Sequence, residues 1–153
     1  MSSLDETPEL DHLREVAERA RAMNWSPYTS AVVVASVKTT GGEFYGGSNV
    51  EVANISLSKH AEETAILAAL TNGAMRTADG DVQPRCIEVV YATAAPCGSC
   101  RQFILEFATE DCVVHIDDSS SRAGTYRLKE LLPNSFGPEQ QLAAGGRMEE
   151  GRS

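Results

Sequence analysis

Two short segments of the sequence carry three side chains that bind zinc in proteins. One is the tripeptide 60–62, His-Ala-Glu, and the other is the pentapeptide 96–100, Pro-Cys-Gly-Ser-Cys. One His and two Cys are the number of protein ligands that a catalytic zinc takes while its fourth tetrahedral position stays open for water. A chain that uses all three ligands must bring residue 60 next to residues 97 and 100, which excludes most ways of folding it.

The positions of these ligands also constrain the local structure. In a regular helix His60 and Glu62 would point about 200° apart, so we expect His60 at a helix entry and Glu62 inside the helix, reaching a metal-bound water. A carboxylate placed there can move the protons of that water. Cys97 and Cys100 share one face of a first helical turn. A helix N-terminus favours thiolate over thiol, which suits metal binding.

Other interpretations of these residues remain open at this point. A C-x-x-C pair alone fits a redox disulfide or half of a structural zinc site as well as a catalytic one, and a structural site needs four protein ligands. Cys86 and Cys112 alternate with apolar residues and are predicted to be buried as small hydrophobic side chains. His115 is predicted in the core or an edge strand, and His12 on the surface. We therefore expect no fourth protein ligand.

Composition narrows the functional class. The 153 residues suit one domain, and 13 basic against 22 acidic residues give a net charge of −9. Such a charge disfavours nucleic-acid binding, which needs a basic surface against phosphates. The first residues lack the features of a signal peptide, and no apolar run is long enough to span a membrane. Four Cys without a secretory signal favour a reducing compartment, and we expect a cytoplasmic protein.

Hydrophobic periodicity and turn residues predict the order of the elements. Thr7 is the expected N-cap and Pro8 the first residue of a helix that runs to about Met23. A hairpin of two strands, a helix, a strand, a second helix and a further strand follow. The predicted strands are 31–38, 43–48, 86–92 and 112–116. The first of the two helices runs from residue 61 and closes at 72–73, and the second is 97–109. A short helix is predicted at 127–132, and a fifth strand near residue 125 is one that the sequence does not place.

This order predicts a mixed sheet with helices on both faces. The apolar run 31–38 is too continuous for a strand with one solvated face, so it is expected to be an interior strand. Residues 1–136 are predicted to form one domain. Residues 137–153, rich in Gly, Glu and Gln, are predicted to be a disordered tail.

With these residues in place, the chain resembles the cytidine deaminase family and its relative blasticidin S deaminase over about residues 28–136. Residues 96–102 match the family motif P-C-G-x-C-R-Q, and residues 60–62 match its H-A-E form. Residues 49–51 match N-x-E, in which the Asn and the Glu hydrogen-bond a ribose hydroxyl. Residues 131–136 match L-L-P-x-x-F, whose Phe packs into a neighbouring site in tetramers.

The resemblance implies a three-layer α/β/α sandwich with a mixed, roughly five-stranded sheet, bound Zn²⁺ and a homotetramer, with a dimer as the alternative assembly. It implies Glu62 as the catalytic residue and a metal site made of His60, Cys97 and Cys100. The substrate-binding residues that it implies are Asn49, Glu51, Ala61 and Phe136.

Two positions depart from the family pattern. Small tetrameric members of the family usually have C-A-E in place of H-A-E, and Glu63 stands where an Arg commonly follows that C-A-E. One neutral His with two thiolates leaves the zinc site without net charge, so that Arg becomes dispensable, and Glu63 itself is expected to be a solvated first-turn residue. Ala31 stands where the cytidine enzymes usually place a Phe against the base, a contact that can contribute about 1–3 kcal/mol. This change favours a differently shaped ring or a larger pocket.

The leading hypothesis is therefore a zinc-dependent hydrolytic deaminase of pyrimidine salvage. It would convert cytidine and deoxycytidine to uridine and deoxyuridine with release of ammonia. A deaminase of the same mechanism that acts on another aminopyrimidine or aminated heterocycle is the alternative, with a blasticidin S-like compound or a modified nucleoside as substrate. A non-catalytic, zinc-stabilised oligomer that binds a small molecule is the alternative from another class.

Overall fold

A computed structural model describes residues 6–143, in which five strands form one sheet. The elements in chain order are α1 Pro8–Arg21, β1 Val34–Thr39, β2 Phe44–Ser48, α2 Ala61–Thr71, β3 Ile87–Ala92, α3 Gly98–Phe107, β4 Ala108–Ile116, β5 Gly124–Arg127, α4 Leu128–Leu131 and α5 Pro138–Ala143, with a short 3-10 turn at Ile55–Leu57.

The sheet has the strand order β2-β1-β3-β4-β5. Strand β1 pairs antiparallel with both β2 and β3, β3 runs parallel to β4, and β4 pairs antiparallel with β5. Helix α3 makes the connection between the two parallel strands. The sheet is therefore mixed and five-stranded, as predicted, and β1 is an interior strand.

Helix α1 covers one face of the sheet. It begins where expected, because the Thr7 hydroxyl accepts a hydrogen bond from the Leu10 N–H at 3.1 Å and Pro8 occupies the first turn. The helix ends at Arg21, two residues before the predicted end at Met23. Its buried side chains pack with those of the sheet in one cluster, which consists of Leu10, Leu13, Ala17, Val34, Val89 and Tyr91.

Helices α2 and α3 cover the opposite face. Strand β1 alternates between the two layers, since Val34 packs against α1 while Ala35 and Val37 belong to the larger core cluster on the other side. That cluster joins residues of α2 and α3 to the central strands, among them Ala65, Ile66, Ala69, Ile104, Val90 and Val114. The three-layer α/β/α sandwich is thus confirmed.

The four strands with predicted ranges all begin at other residues than predicted, β2 and β3 by one residue only. Strand β1 starts at Val34 rather than Ala31, because the Val33 N–H donates to the Asn49 side chain instead of to a neighbouring strand. Helix α3 ends at Phe107, before the predicted Thr109, and β4 follows directly at Ala108 rather than at residue 112. The fifth strand lies at Gly124–Arg127.

The C-terminal segment is partly ordered, contrary to the predicted disorder from Gly137 onward. Residues Pro138–Ala143 form helix α5. The Gln140 side chain accepts a hydrogen bond from the Gly137 N–H at 2.8 Å, and Glu139 forms an ion pair with Arg85 near the start of β3. The remaining tail, 144–153, lies outside the described residues.

In the part of the chain that the structure covers, residues 6–143, no helix combines the length and the hydrophobicity that crossing a membrane requires.

Close packing of β2 against α2 depends on Gly47. A Cβ at this position would lie 2.5 Å from the Ala61 carbonyl oxygen and closer still to the Ala65 nitrogen, both in the backbone of α2. Helix α2 begins next to His60 and carries Glu62. The absence of a side chain at residue 47 therefore sets how near this helix lies to the sheet.

We predict that Gly47→Ala lowers the free energy of unfolding by about 1–3 kcal/mol, because the added methyl overpacks a contact between two backbones. Urea unfolding followed by circular dichroism measures this change. Gly98→Ala is the control, since a Cβ there meets nothing within 4 Å. Equal stability of Gly47→Ala and the unsubstituted protein would contradict the packing argument.

Candidate active site

The first half of the site lies at the start of α2. His60 is the N-cap of this helix, with extended backbone angles of φ −82° and ψ 162°. Because His60 precedes the helix while Glu62 lies in its first turn, both side chains can face the same region. Glu62 is only 4% exposed. The structure therefore has the entry geometry that the sequence predicted for this pair.

The second half lies at the start of α3. Strand β3 ends at Ala92, and a short connection through the buried Pro96 leads to Cys97, the N-cap of α3. The Cys97 sulfur accepts a hydrogen bond from the Cys100 N–H at 3.5 Å. Cys97 is exposed, whereas Cys100 is fully buried, and both thiols are free.

The three predicted ligands converge. The His60 Nδ1 atom lies 3.2 Å from the Cys100 sulfur and 3.4 Å from the Cys97 sulfur, and all three ligand atoms lie within 4.8 Å of one another. Tetrahedral zinc with ordinary Zn–N and Zn–S bonds separates such atoms by about 3.6 Å. The side chains therefore fit a zinc ion. Across residues 6–143 no further His, Cys or acidic residue joins this group, in agreement with three protein ligands.

Glu62 lies beside the ligands. One of its carboxylate oxygens is 3.5 Å from the Cys100 sulfur. Burial raises the pKa of the Glu62 carboxyl, so the protonated form is more accessible than in solvent. Burial, followed by the nearby Glu62 charge, also raises the pKa of the Cys100 thiol. A divalent cation reverses this second effect, because it stabilises a coordinating thiolate.

The other candidate ligands lie elsewhere. Cys86 and Cys112 are fully buried in the core, and burial raises the pKa of both thiols, as expected for small hydrophobic side chains. His115 Nδ1 lies 2.9 Å from the Thr125 hydroxyl, with which it can hydrogen-bond on the paired strands β4 and β5. His12 packs edge-on against Phe44 on α1's side of the sheet.

A cavity of about 370 Å³ opens onto Glu62 and two of the ligands. Three of the four predicted substrate-binding residues line it, namely Asn49, Glu51 and Ala61. Further lining residues that the sequence did not single out are Thr29, Val33, Ile55, Ser58, Lys59, Ala94 and Ala95. Only Ala94 and Ala95 carried a signal in the sequence, because they directly precede the Pro-Cys motif.

Asn49 and Glu51 shape the wall of this cavity. The Asn49 side chain donates to the Ala31 carbonyl and accepts from the Val33 N–H, each at 2.9 Å. The Glu51 carboxylate accepts the N–H groups of Tyr28 and Thr29 at 2.9 and 3.1 Å, together with the Thr29 hydroxyl. Both side chains therefore hold the segment 28–33. This segment contributes Ala31, the residue that differs from the family pattern, to the cavity wall.

Phe136 does not line the cavity of its own chain. Its side chain is 57% exposed, and its carbonyl accepts a hydrogen bond from the Gln102 side chain at 2.8 Å. It contributes instead to a separate groove of about 710 Å³ that also includes residues of α3 and α5. A role for Phe136 at a neighbouring chain's site stays a prediction.

Glu63 is not the solvated residue that the sequence suggested. Its side chain is only 13% exposed. One carboxylate oxygen accepts the His60 N–H at 2.9 Å, and the other lies 3.3 Å from the Lys59 ammonium group. The sequence could have indicated this contact, because a Glu three residues after an N-cap is typical of a capping box.

A buried carboxylate beside one His and two Cys, in a cavity of an α/β/α sandwich, is the arrangement of a zinc-dependent deaminase. Residues 9–116 match the family model described as the cytidine and deoxycytidylate deaminase zinc-binding region. The chain belongs to this family.

Individual relatives agree with the family match. The chain is 31% identical over 136 residues to a probable cytidine deaminase of Dictyostelium discoideum, with 88% of each chain covered. It is 28% identical to a cytidine deaminase of Sporosarcina psychrophila, with 86% of this chain and 93% of the relative covered. It spans only 37% of the longer cytidine deaminase of Vibrio atlanticus.

Solved structures of cytidine deaminases share the fold. The crystal structure from Burkholderia pseudomallei superposes with a TM-score of 0.71 at 28% identity, covering 86% of this chain and all of that one. The structure from Mycobacterium tuberculosis gives a TM-score of 0.69 at 26% identity, covering 86% and 99%.

We predict that the purified protein binds one zinc ion per chain and that Cys100→Ala removes it, because two ligands no longer hold the ion. Metal content measured by mass spectrometry tests this. Cys112→Ala is the matched control, since that thiol is equally buried but lies in β4. Zinc retained by Cys100→Ala would mean that the ion binds elsewhere.

Stability should also depend on Glu51 at acidic pH. The Thr29 hydroxyl, followed by the backbone N–H groups of Tyr28 and Thr29, lowers the pKa of the Glu51 carboxyl in the folded protein. Its contribution is therefore present above the ordinary carboxyl pKa, about 4.3, and is lost as the pH falls through the lower folded value. We predict that the melting temperature of Glu51→Gln falls less than that of the unsubstituted protein when the pH is lowered from neutral to acidic. Equal losses in a melting series would contradict this.

Proposed function

We propose that this protein is a zinc-dependent hydrolytic deaminase that converts cytidine and deoxycytidine to uridine and deoxyuridine with release of ammonia. The observation that carries the proposal is the convergence of His60, Cys97 and Cys100 next to the buried carboxylate of Glu62. Relatives that carry the name cytidine deaminase support the choice of substrate. A pyrimidine salvage role follows from that reaction.

The chemistry divides between the ion and one side chain. His60, Cys97 and Cys100 would hold the zinc ion, and the bound ion would supply an activated water, because coordination lowers the pKa of water to about 7. Glu62 accepts the proton of this water as the water attacks the ring carbon that carries the amino group. The same carboxyl would pass this proton to the ring nitrogen. It would then accept the proton of the hydroxyl newly bonded to the ring carbon and donate it to the amine, which leaves as ammonia while the carbonyl forms. A carboxyl group suits both tasks, because it accepts a proton as the carboxylate and donates one as the acid.

Asn49, Glu51 and Ala61 are proposed to contact the substrate from the cavity wall. The Glu51 carboxylate and the Asn49 amide are the groups in the wall suited to a ribose hydroxyl, since each offers hydrogen-bonding atoms. Phe136 is proposed to contact the substrate of a neighbouring chain. The reactant is a small molecule, which agrees with a cavity of about 370 Å³.

One observation favours a second substrate class. None of the described residues that line the cavity is a Phe, Tyr or Trp, and Ala31 lies in the wall. A base bound here finds no aromatic side chain among these lining residues of its own chain, and stacking on one contributes about 1–3 kcal/mol elsewhere. Another aminopyrimidine or aminated heterocycle is therefore the second candidate, and a substrate panel that includes modified nucleosides distinguishes the two.

We propose a homotetramer located in the cytoplasm. Exposed apolar side chains next to lining residues support association of chains, among them Tyr28, Val32 and Leu57. Four free cysteines agree with a reducing compartment. Light scattering after gel filtration tests the assembly, and a mass near that of one 16.4 kDa chain would contradict it.

We predict that Glu62→Gln lowers kcat for cytidine deamination by about 10²–10⁴-fold, the usual contribution of general acid–base catalysis. Zinc content should stay at one per chain, because Glu62 is not a ligand. Ammonia release is the assay, and Glu106→Gln on the exposed side of α3 is the control. Turnover that survives in Glu62→Gln would reject the proposed mechanism, while turnover of other heterocycles alone would favour the second candidate.

A further inference from the structure

We propose that Glu63 is a positioning residue that fixes the backbone of the zinc ligand His60 and thereby increases the affinity of the protein for zinc. The inference rests on the zinc site of the proposed function and adds a residue that touches neither the ion's ligand atoms nor the substrate cavity.

The contact that carries this inference joins a side chain to the backbone of a ligand. Glu63 Oε2 accepts the His60 N–H at 2.9 Å and closes a capping box at the start of α2. The ligand atom of His60 is Nδ1, which is linked to Cα through Cβ and Cγ only. Its position therefore depends on the backbone and on two side-chain torsions. A fixed backbone at residue 60 leaves few ways for Nδ1 to move away from the two sulfurs.

The residue before His60 is fixed as well. Lys59 and Val50 exchange two backbone hydrogen bonds, both 2.9 Å long. The Lys59 ammonium group lies 3.3 Å from Glu63 Oε1, so the two carboxylate oxygens of Glu63 engage successive residues. On the other side, the His60 carbonyl accepts the Thr64 N–H at 3.1 Å within the helix. His60 is thus held from both directions, and Glu63 is the one side chain that binds its N–H.

The burial of Glu63 supports a specific role. With 13% of its side chain exposed, it is more enclosed than Lys59, whose side chain is 52% exposed. Enclosing a carboxylate away from water is unfavourable unless its charge is paired or hydrogen-bonded. The hydrogen bond to His60 and the ammonium group of Lys59 offset that cost.

The chain contains a matched capping contact without a metal. At the start of α4, Glu130 Oε2 accepts the Arg127 N–H at 2.6 Å, which repeats the relation between Glu63 and His60. Loss of either glutamate removes the acceptor of an N-cap N–H, so both changes lower stability. Only the loss at residue 63 should change the binding of zinc.

The test compares zinc affinity, measured by competition with a chromogenic chelator, in Glu63→Ala, Glu63→Gln, Glu130→Ala and the unsubstituted protein. We expect Glu63→Ala to bind zinc about tenfold more weakly, the lower end of the effect that outer partners of metal ligands usually have. Glu63→Gln should bind nearly as well as the unsubstituted protein, because its amide oxygen still accepts the His60 N–H. Glu130→Ala should not change zinc affinity.

Two results would overturn the proposal. Equal zinc affinity of Glu63→Ala and Glu130→Ala would make Glu63 a helix cap only, and an equal loss in Glu63→Gln and Glu63→Ala would exclude the hydrogen bond as the cause. Should Glu63→Ala not fold, Glu63→Asp replaces it with Glu130→Asp as its control, since the shorter side chain withdraws the acceptor and keeps the charge. Absence of zinc from the unsubstituted protein would instead reject the proposed function.

Discussion

The site depends on the meeting of two helix N-termini on one face of the sheet. Helix α2 begins next to His60 and helix α3 next to Cys97, and both pack against the same core cluster. Because β3 and β4 are parallel, the chain must cross over the sheet through α3, and this crossover places Cys97 and Cys100 beside α2. Close approach of α2 to β2 at Gly47 completes the arrangement. A shift of either helix would separate the nitrogen from the sulfurs.

Several side chains near the cavity have a structural use as well as a chemical one. Asn49 and Glu51 bind the segment 28–33 through its backbone, so the groups suited to the substrate also build the wall around it. Glu63 acts in the same way on the segment before α2. A substitution at any of these residues therefore changes both the shape of the site and its stability, and zinc affinity, melting temperature and turnover must be measured together.

The sequence predicted the mixed sheet, the layer order and the three ligands with Glu62, because each follows from spacing or from hydrophobic period. It did not predict the start of β1 at Val34 or of β4 at Ala108. Both boundaries depend on tertiary contacts. The start of β1 depends on the hydrogen bond that the Val33 N–H donates to the Asn49 side chain. The sequence also did not predict the burial of Glu63, because a glutamate in the first turn of a helix is usually solvated. Helix α5 was not predicted because the composition of its segment resembles that of a disordered tail. Its Glu139 forms an ion pair with Arg85, which lies in a distant part of the sequence.

One histidine and two cysteines are placed to bind zinc, with one position left for water. X-ray absorption at the zinc edge measures these ligands directly in the purified protein. We predict two sulfur atoms at about 2.3 Å and two lighter atoms at about 2.0–2.1 Å, one of which shows the scattering pattern of an imidazole ring. Four sulfur ligands, or a zinc without sulfur, would contradict this prediction.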